Sequence, residues 1–130
     1  GSFGLEALSR GAKKVTFVDQ DKNTINVLKN NISNLALENN IELFSDEISN
    51  VIESKKIDKF DILFLDPPFV DKSYIEIIKL IKSKKIYKKN NLVIMHREKK
   101  TKDNLKNILN VFLTKTYSRS KILFANFLTQ

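Results

Sequence analysis

The sequence has 130 residues, within the usual size of one domain and too short for two well-packed ones. Hydrophobic residues make up 42% of the chain, which supports a packed core, and the absence of cysteine excludes disulfides, thiolate catalysis and Cys-ligated metal sites. The net charge of +8 favours a polyanionic partner, although a composition bias towards Lys and Asn explains part of it.

The first half of the chain alternates strands with helices. Residues 14–18 are apolar and β-branched and predict a buried strand that stops at the polar triplet 19–21. A helix follows, with Asp21 placed to cap it and apolar residues at near-helical spacing: Ile25, Leu28, Ile32, Leu35 and Leu37. We then predict a strand over 41–44 and a short amphipathic helix after Asp46.

The second half continues this alternation. The apolar run 60–65 predicts a strand that ends at Asp66, because two consecutive prolines forbid further pairing. A helix over 73–81, a buried strand over 92–95 and a helix over 105–113 follow, and two antiparallel strands, about 114–117 and 121–127, end the chain. The pattern indicates an α/β fold with a doubly wound, mainly parallel sheet and a C-terminal antiparallel strand pair.

Three acidic residues end predicted strands. Ligands bind beyond the carboxyl ends of the strands in open α/β sheets, so we expect Asp19, Asp46 and Asp66 to converge there. Asp19 is placed to accept the ribose hydroxyls of a nucleotide; capping the next helix is the alternative, and Asp21 can fill that role. For Asp46, helix capping and binding of an adenine amino group stay equally open.

The segment Asp66-Pro67-Pro68-Phe69 carries the most specific signal. The Asp66 carboxylate and the Pro67 carbonyl are two acceptors held by a stiff backbone, and Phe69 offers a flat apolar face. These groups suit a planar ring with an exocyclic amine, which would donate its hydrogens and stack. An ordinary proline-terminated strand is the alternative. We interpret the segment as catalytic.

The stretches GSFGLEALSRGA (1–12), VTFVD (15–19) and FDILFLDPPF (60–69) resemble the bacterial 16S ribosomal RNA (guanine-N2)-methyltransferase family over nearly the whole chain. The resemblance implies a Rossmann-like class I methyltransferase fold and S-adenosylmethionine as cofactor. It implies methylation of the exocyclic N2 amine of a guanine in 16S rRNA, presented as RNA or in a small-subunit assembly intermediate.

The resemblance also assigns residues. Gly1 and Gly4 match the last two glycines of the cofactor loop, Asp19 the ribose-binding acid, Asp46 the position beside the adenine, and Asp66 to Phe69 the catalytic motif. Glu6 and Arg10 match family positions on the first helix, where a helix-dipole carboxylate and an exposed basic residue are the alternative interpretation. His96 stands where relatives often carry an acid, and we expect it to be structural.

The first strand of that fold precedes Gly1 and is central, so we expect residues 1–130 to be one S-adenosylmethionine-dependent methyltransferase domain that lacks its first strand. We expect a cytoplasmic monomer with no membrane or metal partner, whose RNA contacts come from lysines such as Lys72. The alternatives are an N6-adenine methyltransferase acting on DNA or RNA, a non-catalytic RNA-binding domain and, ranked last, a dinucleotide-binding oxidoreductase.

Overall fold

The computed structural model describes residues 2–35, 40–54, 57–68 and 73–128. These form two compact units, Gly1–Lys55 and Lys56–Gln130. The elements are α1 (Ser2–Ser9), β1 (Val15–Asp19), α2 (Lys22–Asn34), β2 (Ile41–Ser45), α3 (Ile48–Ser54), β3 (Phe60–Leu65), α4 (Tyr74–Lys84), β4 (Tyr87–Glu98), β5 (Asn110–Thr116) and β6 (Ser120–Asn126). Gly1, Leu37, Phe69 and Lys72, to which the sequence analysis gave roles, lie outside the described residues.

The first unit is a two-stranded parallel sheet with helices packed on it. β1 and β2 pair in register from Val15 opposite Ile41 to Asp19 opposite Ser45. The apolar stripe of α2 buries Ile25, Leu28 and Ile32, as the spacing of three and four residues predicts. α1, α2 and α3 all contact β1. The predicted alternation of strand and helix is therefore confirmed through residue 54.

The second unit contains a four-stranded sheet in the order β3-β4-β6-β5. β3 and β4 are parallel, whereas β6 pairs antiparallel with both β4 and β5. The predicted C-terminal antiparallel pair is thus confirmed, and β4 joins it to the parallel part. Over the described residues, the pairings are half parallel and half antiparallel, so the sheets are more mixed than the sequence predicts.

The predicted helix over 105–113 is wrong. Leu105 and Leu109 are buried, but residues 106–108 form turns and the chain enters β5 at Asn110. Asn107 has a left-handed backbone, with φ of 70°, which ends any helix begun at Leu105. The apolar residues after it, Val111, Phe112 and Leu113, are consecutive and lie in β5. This strand pairs with β6 from Asn110 to Thr116, so sheet pairing outweighs the helical spacing.

The described helices include none that is long and apolar enough to span a membrane.

Candidate active site

Asp19 and Asp46 meet at the carboxyl end of the β1–β2 sheet. Asp19 is paired with Ser45, and the backbone amide of Asp46 donates to the carbonyl oxygen of Asp19 at 3.1 Å. Parallel strands bring their carboxyl ends to one edge, which explains why residues 27 positions apart become neighbours. The structure thus joins two of the three predicted acids. Asp66 lies in the second unit, and its convergence with them stays a prediction.

The N-terminal cap of α2 belongs to Asp21. Its Oδ1 atom accepts from the amide of Asn23 at 2.9 Å, and its Oδ2 atom accepts from the hydroxyl of Thr24 at 3.2 Å. Asp19 accepts the amide of Asp21 through Oδ1 at 2.8 Å, which fixes the orientation of the half-buried carboxylate. Asp19 is therefore not the helix cap, and its ribose-binding role stays a prediction.

The carboxylate of Asp46 is held at the beginning of α3. Its Oδ1 atom accepts from the amide of Glu47 at 2.7 Å and from the side-chain amide of Asn50 at 3.1 Å. Glu47 directly precedes α3, so these bonds lie at the start of the helix and leave the capping interpretation open. The same bonds orient the carboxylate, so its proposed place beside an adenine stays a prediction.

Gly4 lies in α1 where that helix touches β1. A Cβ atom at this position would come within 2.5 Å of the Phe17 ring and 2.9 Å of the Cγ1 atom of Val15. Only glycine permits this close helix-strand packing, which is one role of glycines in nucleotide-binding folds. Arg10, just past the end of α1, donates through Nε to Glu6 Oε1 at 2.7 Å, and both side chains are exposed, in agreement with the interpretation of Arg10 as an exposed basic residue.

Asp66 and His96 form a pair where β3 ends beside β4. The Nδ1 atom of His96 lies 3.0 Å from Oδ1 of Asp66. Leu65 and Met95 are partners in the parallel register, so the next residue of each strand emerges beside the other. The Asp66 side chain is 57% exposed and that of His96 is 32% exposed. His96, expected to be structural, therefore contacts the proposed catalytic acid, and the shared strand ends could have revealed this.

A buried arginine contacts the carbonyl groups of the two prolines. The Nη1 atom of Arg97 lies 3.3 Å from the carbonyl oxygen of Pro68 and 3.5 Å from that of Pro67. The Arg97 side chain is only 2% exposed, and its Nε donates to Oδ1 of Asp103 at 2.9 Å. Sequence reasoning missed this residue. The signal was its place in the inward alternation of β4, after Val93 and Met95.

Asp103 also accepts hydrogen bonds from two other side chains. We call the four residues Arg97, Asp103, Tyr74 and Thr101 the Arg97 cluster. Tyr74 donates its hydroxyl to Oδ1, and Thr101 donates to Oδ2 at 2.9 Å. Burial alone would raise the pKa of Asp103, but the hydrogen bonds from Tyr74 and Thr101 and the charge of Arg97 lower it below its usual value. Asp103 is therefore an ionised counterion to Arg97 and also to Lys121, whose Nζ lies 3.5 Å from Oδ2.

The end of β3 thus presents hydrogen-bond acceptors. The exposed Asp66 carboxylate stands next to the carbonyls of Pro67 and Pro68, and each carbonyl oxygen has two lone pairs. Such a set can accept the hydrogens of an exocyclic amine. Among the described residues, no group of three or more His, Asp or Glu side chains could hold a metal ion.

The fold is that of class I methyltransferases. A solved structure from Haemophilus influenzae, described as a "putative methylase", matches with a TM-score of 0.84 and 32% sequence identity, over 99% of this chain and 81% of that chain. The profile of the family called Conserved hypothetical protein 95 matches residues 1–126, and this chain belongs to that family.

Two curated relatives carry the name Ribosomal RNA small subunit methyltransferase D. The one from Haemophilus influenzae is 38% identical over 108 residues, which cover 76% of this chain. The one from Buchnera aphidicola is 33% identical over 100 residues, 77% of this chain. The chain spans 52% of the length of each relative. The resemblance found in the sequence motifs is therefore confirmed at the level of the family.

Proposed function

We propose that the protein containing this chain is an S-adenosylmethionine-dependent methyltransferase that modifies the exocyclic N2 amine of a guanine in 16S rRNA. The observation that carries the proposal is the exposed Asp66 carboxylate beside the Pro67 and Pro68 carbonyls, at the end of a strand. The methyltransferase fold and the names of the two relatives support the reaction class and the RNA substrate.

The acceptor groups address the main chemical obstacle. The amine of guanine is almost non-basic, because its lone pair is delocalised into the ring. Asp66 accepts one amine hydrogen and the Pro67 carbonyl accepts the other, which localises the lone pair on nitrogen and directs it towards the methyl donor. After transfer the nitrogen is strongly acidic, so its proton leaves to the exposed Asp66 or to water and no strong base is needed.

His96 orients the Asp66 carboxylate. With a hydrogen on Nδ1, it donates to Oδ1 across 3.0 Å, which keeps Oδ2 as the acceptor for the substrate amine. The pair is partly exposed, so its contribution to folding stability is small. Its value lies in holding one carboxylate geometry before the base arrives.

The edge formed by Asp19 and Asp46 fits the cofactor by the chemistry of its groups. Both side chains are carboxylates oriented by backbone amides, and such oxygens accept hydrogen bonds from ribose hydroxyls and from an adenine amino group. Asp19 would hold the ribose and Asp46 the adenine, while Gly4 keeps α1 against β1. When bound, S-adenosylmethionine supplies an electrophilic methyl group.

The substrate must reach this site as an unstacked base. A guanine inside a helix cannot present its amine to Asp66, so the enzyme acts on an extruded or single-stranded nucleotide. The net charge of +8 supports attraction to the RNA backbone. The proposed partner is 16S rRNA, either free or within a small-subunit assembly intermediate.

Single-turnover methylation by the full-length protein tests the proposal, with naked 16S rRNA and small ribosomal subunits as substrates and mass spectrometry of the nucleosides. We expect N2-methylguanine from the wild type and a loss of about 100-fold or more in Asp66→Ala and Asp66→Asn, because the amide presents donors where acceptors are needed. Asp61→Asn is the matched control, an exposed acid on the same strand that pairs with Lys88.

Cofactor binding by the same variants is measured by calorimetry and should be nearly unchanged, since Asp66 is assigned to the acceptor base. Wild-type turnover in Asp66→Ala would remove Asp66 from the mechanism. A methylated adenine product would replace guanine as the substrate and favour the N6-adenine alternative.

A further inference from the structure

Arg97 is a buried cation that contacts other groups in addition to its counterion Asp103. Asp103 is its counterion, through the 2.9 Å bond to Nε, and both side chains are at most 3% exposed. The guanidinium nevertheless extends Nη1 to the carbonyl oxygens of Pro68 and Pro67. A buried guanidinium needs several acceptors to offset its desolvation, and here two of them come from the proposed catalytic segment.

The same guanidinium also contacts the residue on the other side of that segment. The Cζ atom of Arg97 lies 4.4 Å from the centre of the Tyr74 ring, and Tyr74 begins α4. Pro68 ends the described part of the chain after β3, and α4 begins six residues later. Arg97 therefore touches the chain both where it leaves β3 and where it enters α4, so its contacts bracket residues 69–73.

We propose that Arg97 is a positioning residue for methyl transfer, which contacts the Pro67 and Pro68 carbonyls and so holds the Pro67 oxygen where the substrate amine donates. The inference rests on the proposed function, in which the Pro67 carbonyl accepts a hydrogen of the substrate amine. Each carbonyl oxygen has two lone pairs, so accepting from Arg97 leaves one for the amine. Asp103, Tyr74 and Thr101 hold the guanidinium in turn, and Arg97 reaches no reacting atom itself.

The planar guanidinium is needed for this task. A lysine at position 97 would keep the charge opposite Asp103 but would present a single ammonium, which cannot reach Asp103 and both carbonyls in the same fixed geometry. Displacement of reacting groups by about 1 Å can cost about 100-fold in rate. We therefore expect the effect in the rate of the chemical step and little in cofactor affinity.

The test separates positioning from stability with a charge-neutral double variant. Arg97→Met/Asp103→Asn removes one buried charge of each sign, while Asn retains an oxygen to accept from Tyr74 and an amide to donate to Thr101. Lys121, 3.5 Å from Oδ2 of Asp103, keeps its hydrogen bond to the Thr101 carbonyl in this variant. In the full-length protein we expect cooperative melting, a dissociation constant for S-adenosylmethionine within about threefold of wild type, and a single-turnover rate lower by about 10- to 100-fold. If Arg97 were needed only for folding, a double variant that melts as the wild type does would also turn over at the wild-type rate.

Carbon-13 carbonyl NMR supplies a readout that does not depend on activity. Proline carbonyls of the full-length protein are labelled, and the resonances of Pro67 and Pro68 are assigned by substituting each proline in turn. We expect both carbonyl resonances to move to lower frequency in the double variant, as carbonyls do when a donor is removed, and the Pro68 resonance to move more. Arg97→Lys should show the same changes, and it decides the matter if the double variant does not fold.

Support requires both a slower chemical step and shifted carbonyls. Wild-type turnover, or unshifted carbonyl resonances, would overturn the positioning role. Asp66→Ala measured alongside separates the two proposals. If Asp66→Ala is inactive while the Arg97 variants are fully active, the positioning role fails and the function stands. If the wild type methylates no guanine, the function fails.

Discussion

The backbone amide of Asp21 donates to the Oδ1 atom of Asp19 at 2.8 Å, while the Asp21 side chain caps α2. The two acids at the end of β1 therefore have different tasks. Asp21 stabilises the helix, whereas Asp19 is held in one orientation and does not cap the helix. This division supports Asp19 as the residue that binds the ribose.

Asp19→Ala should weaken binding of S-adenosylmethionine by about 1–3 kcal/mol, because charge-assisted hydrogen bonds to the ribose are removed. Asp21→Ala is the matched control: it should lower the free energy of unfolding by about 1 kcal/mol through loss of the cap but leave cofactor affinity almost unchanged. Calorimetry and denaturant unfolding of the full-length protein measure both. Equal cofactor affinity in Asp19→Ala and the wild type would refute the ribose assignment.

Gly4→Ala should destabilise the protein by about 1–3 kcal/mol, because the new methyl group would meet the Phe17 ring at 2.5 Å and force α1 away from β1. Phe17→Leu in the same chain makes room and should recover part of the loss. A double-mutant cycle in denaturant unfolding measures this coupling. Additive effects of the two substitutions would show that the contact does not limit the packing.

His96→Ala should slow methyl transfer several-fold, and by less than Asp66→Ala, because the exposed Asp66 carboxylate remains and only its orientation is released. Single-turnover rates with saturating cofactor provide the measurement. Lys88→Ala, an exposed substitution on the same strand, is the control. A rate in His96→Ala equal to that of the control would leave His96 without a part in the reaction.

Tyr74 should make the protein sensitive to alkali. Burial, and next the hydrogen bond to Asp103, raise the pKa of Tyr74 from 10.0 to about 12, so folding favours the neutral phenol. The associated stability is present below pH 10, where an unfolded tyrosine keeps its proton, and is lost as the pH rises through about 12.

Over this range the free energy of unfolding of the wild type should fall by up to about 2 kcal/mol more than that of Tyr74→Phe. Tyr117→Phe, at an exposed position, should behave as the wild type. Parallel pH profiles for the wild type and Tyr74→Phe would contradict the prediction.

RNA affinity should fall steeply with salt, because lysines that neutralise phosphates release counterions. A cavity of about 790 Å³ between α4 and residues 104–108 is lined by Lys79, Lys82, Lys85 and Lys106. Lys79→Gln/Lys106→Gln should lower the slope of log affinity against log salt by about 0.7 for each phosphate of single-stranded RNA that the variant no longer neutralises. Lys22→Gln, on α2, is the control, and an unchanged slope in the double variant would exclude this cavity from RNA binding.

The α/β class, the element order through α4 and the acids at the strand ends could be predicted from the sequence. Strand and helix periodicity and the Asp-Pro-Pro strand ending are local signals, which do not depend on the rest of the fold. The prediction failed for residues 105–113, where spacing fits a helix but pairing with β6 decides. Arg97 was missed for a related reason. A charged residue gives no apolar signal, and its burial depends on Asp103 and Tyr74, which approach only in the folded chain.

The pairing of β3 with β4 contains a register shift near the start of β3. Phe60 faces Tyr87 and Ile62 faces Leu92, so two steps along β3 correspond to five along β4. Asn91 follows this bulge in β4 and exchanges hydrogen bonds with the backbone of Phe127, at 2.7 and 3.0 Å.

Beyond that point Leu65 meets Met95, and Asp66 meets His96. Changes in the length of residues 88–90 can therefore be absorbed before the register that sets the active edge begins. We therefore expect an insertion or deletion in this short stretch to leave the Asp66–His96 pair aligned.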